Sequence, residues 1–120
     1  MAFVFENLTV YQKSLDCIES VFQFLKSNRI DNELKDQLKR AITSITLNIA
    51  EGGGRFSKND KKNFYTIARG SVYESVAVFQ ILKRLQTIEE PEYTRFYELL
   101  NELAKMLNGM INSLKVTSAS

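Results

Sequence analysis

The residues best suited to chemistry fall in one stretch, SITLNIAEGGGRFSKND, at positions 44–60. It holds Asn48 and Glu51, then Gly52, Gly53 and Gly54, then Arg55 and Lys58, and it runs on into Lys61 and Lys62. Three chemistries use such residues: a carboxylate as general acid or base, a glycine loop around a phosphate, and cations meeting an anion. The first lacks companions, because the chain has no histidine and neither a paired nucleophile nor a metal set accompanies Glu51. The second lacks context, since GGGRFSK does not end in Lys-Ser or Lys-Thr and follows a helical pattern where a P-loop or dinucleotide motif follows a strand. The third stands. Ser57 opens a helix, so free backbone donors meet Arg55, Lys58, Lys61 and Lys62, an arrangement that suits a phosphate. These lysines oppose the positive end of the helix dipole, and an anionic partner relieves that cost. The plain alternative is a solvated basic corner. Of the aromatics interleaved here, Tyr65 lies on a buried helix, which leaves Phe56 as the loop aromatic able to stack on a base.

The elements that hold this stretch read as four helices, at about 9–27, 32–51, 58–86 and 91–115, with a polar tail at 117–120 that frays. Thr9 and Gln12 have capping-box spacing with Leu8 as a staple, and Tyr11, Leu15, Ile18, Phe22 and Leu25 form a stripe beside a second row, Val10, Cys17, Val21 and Phe24. Asp31 or Asn32 opens the second helix, and the glycines close it by entering the left-handed region. Ser57 with Asp60 caps the third, and Pro91 starts the fourth. Short connections between amphipathic helices give a single all-α domain over 1–120, an up-down-up-down antiparallel four-helix bundle.

Composition supports this reading. One proline and five glycines leave little turn chemistry for an all-β fold. Cys17, the single cysteine, reads as a small buried thiol, and the absence of a leader or long apolar run points to the cytoplasm and to no membrane contact. The net charge of +2 is unevenly spread: Lys35 to Arg84 holds ten basic and four acidic residues, so that segment is +6 and the flanks together are −4.

From Gly70 to Leu82 the only charged residue of the third helix is Glu74 and apolar residues cover every side, which predicts that another subunit covers part of it in a dimer or closed ring. A hairpin across the loop gives residues at equal height numbers that sum to about 110. Arg40 then lies level with Gly70 and within a turn of Glu74, and the two are expected to pair inside the seam and fix register. Glu51, at the negative end of its helix, needs a cation, with Arg55 or a neighbouring subunit as its source, and Asn48 is expected to bond loop backbone. Arg40, Asn48, Glu51, Arg69 and Glu74 are therefore read as structural polar residues.

The segments FENLTVYQKS, QLKRAITSITLNIAEGGGR and FYTIARGSVYES resemble the signature stretches of the bacterial 23S rRNA intervening-sequence proteins, over nearly the whole chain and in order. A similar fold group includes the accessory protein of diversity-generating retroelements. The resemblance implies a bundle assembling as a pentameric ring with a basic surface, nucleic-acid association and, in the retroelement branch, a reverse-transcriptase partner. The chain departs from that pattern at Tyr11, Thr46 and Val76, where the family usually has tryptophan, proline and a second glutamate; the last removes any two-carboxylate role beside Glu74.

Together these observations point away from an enzyme, with no catalytic residue, metal or cofactor assigned, and towards a homo-oligomer that binds RNA or DNA through Arg55, Lys58, Lys61 and Lys62. The competing expectation is an interaction scaffold that docks a reverse transcriptase or ribosomal component and holds no nucleic acid itself.

Overall fold

The computed structural model describes residues 3–114. They form a 3-10 turn, Val4–Asn7, and four helices: α1 (Thr9–Ser27), α2 (Asn32–Gly53), α3 (Lys58–Arg84) and α4 (Glu90–Ser113). No strand occurs among the described residues. The expected end of the fourth helix at 115 and the frayed tail at 117–120 lie outside them.

Most helix ends have a visible cause. The Asp31 carboxylate accepts the backbone N–H groups of Glu33 and Leu34 at 3.1 and 3.2 Å, and Ser57 Oγ accepts that of Asp60 at 3.0 Å. At the end of α3, Gln86 takes the left-handed conformation (φ 59°), while the Thr87 and Gln86 N–H groups return to the Leu82 and Lys83 carbonyls. α1 departs from expectation. Thr9 is already helical, Leu8 precedes it without a side-chain cap, and Gln12 Nε2 donates to the Glu6 carbonyl at 2.9 Å. The 3-10 turn thus takes the place of a capping box.

Side-chain pairs show that consecutive helices run antiparallel. Ser14 and Thr46 meet between α1 and α2, Ser44 and Ser71 between α2 and α3, Arg69 and Asn108 between α3 and α4, and Lys13 and Glu102 close the square between α1 and α4. The result is an up-down-up-down bundle. Towards the end that carries the α1–α2 and α3–α4 loops, the rings of Phe24, Phe79 and Phe96 pack together, Phe79 stacked on Phe96 at 4.8 Å.

Three expectations change. On α1 the Cys17 row faces the core with Ser14 and Leu25, whereas Leu15 is 43% exposed and Tyr11, Ile18 and Phe22 are half-buried. Burial pushes the Cys17 thiol up to about 11, so it is an inert packing group. The glycines do not use the left-handed region: none has positive φ, and α2 continues through buried Gly52 and Gly53. Their role is close approach. A Cβ on Gly52 would lie 2.6 Å from the Tyr65 ring, and one on Gly53 would lie 2.7 Å from Phe5 Cβ. Because α2 runs on, the hairpin register also shifts: Ser44, expected opposite residue 66, meets Ser71, and Gly52, expected opposite 58, meets Tyr65.

Candidate nucleic-acid interface

The corner between α2 and α3 is built from its own charges. The last carbonyls of a helix lack intrahelical partners, and Lys61 supplies one: its Nζ lies 3.3 Å from both the Gly52 and Gly53 oxygens. Arg55 pairs with Glu51 at 3.0 Å and lies over the Phe64 ring, 4.7 Å from its centroid. The carboxylate at the negative end of α2 is therefore compensated from within the chain, as its position required.

That construction divides the four predicted cations. Arg55 and Lys61 hold the corner, while Lys58 and Lys62 are exposed and their side chains make no hydrogen bond or ion pair among the described residues. They flank the first turn of α3, where Ser57 takes the Asp60 N–H and the Lys58 and Asn59 N–H groups have no partner among the described residues. Phe56, between Arg55 and Ser57, is 102% exposed, as open as an aromatic in an extended peptide. Tyr65 is buried, as its helix predicted.

The polar residues read as structural fare unequally. Arg69 joins α3 to α4 by donating to Asn108 Oδ1 at 2.8 Å. Asn48 bonds back along its own helix, with Nδ2 donating to the Ser44 carbonyl at 2.8 Å and to Ser44 Oγ at 3.0 Å, and not to loop backbone as expected. The sealed Arg40–Glu74 pair is absent: both residues are exposed, and neither enters an ion pair among the described residues. The seam holds hydroxyls instead, with Ser71 Oγ donating to Ser44 Oγ at 2.8 Å. The altered register puts Gly70 level with about residue 45 and not with Arg40.

Sequence reasoning missed an open cleft of about 1010 Å³ beside the corner, walled by Phe3, Val4, Leu47 and Phe56. Its one signal was the apolar run Phe3-Val4-Phe5, which precedes any helical period and so falls outside pattern reading.

A corner with two open lysines, an open phenylalanine and a helix start is where comparison with other proteins becomes informative. The sequence model of the 23S rRNA-intervening sequence protein family matches residues 6–109. The chain belongs to that family. The match spans all of α1 to α3 and most of α4, so the corner lies inside the family region and is no appended segment. Among solved structures, a protein of unknown function from the S23 ribosomal protein family of Bacteroides thetaiotaomicron VPI-5482 is similar at 26% identity with a TM-score of 0.81, over 86% of this chain and 98% of that one. No curated protein matches. Among the described residues, no helix is long and apolar enough to cross a membrane, and no group of three or more His, Cys, Asp or Glu is placed to hold a metal.

Proposed function

We propose that this intervening-sequence-family protein is a non-enzymatic homo-oligomer that binds RNA or DNA phosphates in the cytoplasm through the corner at the start of α3. The observation that carries the reading is the set left open there: Lys58, Lys62, the first-turn donors and Phe56. Two lysines make a weak site. Repeated around an assembly, five subunits by the family resemblance, they gain avidity without a strong site in any one copy. Such a surface reads phosphate and shape, with Phe56 adding stacking that tolerates any base.

Fluorescence anisotropy with labelled single-stranded oligonucleotides tests this. Binding should fall steeply between about 50 and 200 mM salt, as counterion release requires. The double variant Lys58→Gln, Lys62→Gln should bind more weakly and lose part of that slope. Binding that ignores both salt and these substitutions, or its absence at about 50 mM salt, overturns the proposal.

One observation favours a second reading. Between α3 and α4 an apolar groove lined by Tyr73, Val76, Ala77, Tyr97 and Ala104 suits a protein partner such as a reverse transcriptase or ribosomal component. That reading requires a stoichiometric complex that survives loss of Lys58 and Lys62.

A further inference from the structure

The outer face of α3 carries Ile67, Gly70, Glu74, Ala77 and Ile81 at alternating steps of three and four, the spacing of a coiled-coil seam. All five are exposed in the single chain, Ile67 by 45% and Ile81 by 44%. A Cβ on Gly70 would meet nothing within 4 Å, so with Ala77 it leaves a shallow stretch where another backbone can come close. Glu74 stands in the middle of this stripe. Covering the stripe buries that carboxylate, which is costly unless the covering surface brings a cation.

The matching cation is on the same molecule. Arg40 projects from the exposed side of α2, and the register fixed by Ser44 and Ser71 sets it level with about residue 75, the height of Glu74. The two nonetheless form no ion pair within the chain. Among the described residues, one face thus offers an arginine and a glutamate that enter no ion pair, at the same height and with apolar groups above and below. We propose that the outer face of the α2–α3 hairpin is where copies of this chain meet, Arg40 of one copy pairing with the partner's Glu74. Charge complementarity selects the occupant, since a second copy brings both signs at the required spacing. The inference rests on the oligomeric part of the function proposed above, and it names the contact that builds the assembly.

Arg40→Glu and Glu74→Arg test it by sedimentation velocity over a micromolar concentration series. Both positions are exposed, so each variant should keep its helical circular dichroism. The wild type should sediment as an assembly, and each single variant should associate about tenfold or more weakly, the loss expected for opposing like charges at a contact. Mixed in equal amounts, the two variants should associate with each other, because the first carries a carboxylate at both positions and the second a guanidinium at both. Pairing within one chain predicts no such rescue. Ala77→Arg, which fills the shallow stretch, should also dissociate the wild-type assembly. A wild type that stays monomeric, reversals that leave the mass unchanged, or folded variants that fail to associate on mixing each overturn the inference. Oligonucleotide binding by the same samples separates the two ideas: an intact mass without binding sinks the nucleic-acid reading alone, and binding by dissociated chains sinks only this contact.

Discussion

The corner at Gly52–Lys62 and the outer face of α3 are both unusual in composition, yet they differ in how many of their groups find partners inside the chain. At the corner Glu51 has Arg55, the last α2 carbonyls have Lys61, and the ring of Tyr65 fills the space beside Gly52. On the outer face Ile67, Glu74 and Ile81 stand in solvent, and Gly70 adjoins open space. A residue's type therefore says little about whether it meets another molecule. What decides is whether the fold has already satisfied it.

The sharpest way to break this contrast is to add bulk on each side of it. Gly52→Val puts a Cβ within 3 Å of two Tyr65 ring atoms and 3.2 Å from Phe64 Cβ, and Tyr65 is only 4% exposed, so the ring has nowhere to go. We expect a loss of about 3 kcal/mol in urea unfolding, at the upper end for overpacking of a tight contact. Gly70→Ala should instead stabilise the dissociated chain by about 0.5–1 kcal/mol, the helix-propensity gain at a position that is open within one copy. Similar midpoints for the two variants, compared at one protein concentration, would show that the glycines are interchangeable and the contrast empty.

How much of this was legible beforehand follows the same division. The helices were readable to within about two residues at most ends, because caps at Asp31 and Ser57 and the apolar periods are local signals. The hairpin register was not. It depends on whether α2 stops before or after its glycines, and helical Gly52 and Gly53 are buried against side chains distant in sequence, Tyr65 and Phe5 among them. The true register still sets Arg40 at the height of Glu74, so the expected ion pair is missing because both residues lie on the exposed side of their helices and not in the seam. At the candidate site, the identity of the basic residues was plain. Which of them would be tied down was not, since the Lys61 cap needs both the true end of α2 and the direction in which α3 leaves the loop.

A smaller effect separates the cations within the corner. Lys61→Met keeps the apolar stem and removes the ammonium that caps two carbonyls, each at the long distance of 3.3 Å. The expected cost is about 0.5–1 kcal/mol, the lower range for such hydrogen bonds. Lys58→Gln and Lys62→Gln, which break no contact among the described residues, should stay within about 0.5 kcal/mol of wild type. Thermal melts of the three side by side check the ranking. If Lys58 or Lys62 proves as costly as Lys61, that lysine is also structural and leaves the open set.

The faintest signature in the fold belongs to Phe56. A side chain wholly in water has no packing to lose, so Phe56→Ala should leave the melting midpoint where it was. A lone exposed aromatic is ordinary on a protein surface and by itself demands no partner. Its setting gives it weight, because it lies two residues before exposed Lys58 and lines a cleft that it shares with Phe3, Val4 and Leu47. Stacking of one base is worth about 1–3 kcal/mol, so removing the ring should weaken oligonucleotide binding by roughly fivefold or more. Unlike loss of the lysines, it should leave the salt slope unchanged, since no counterion is released by a π-face. Anisotropy titrations at three salt concentrations separate these contributions. Parallel lines for Phe56→Ala and wild type, beside a flatter line for the double lysine variant, would assign stacking to the loop and phosphate contact to the helix start.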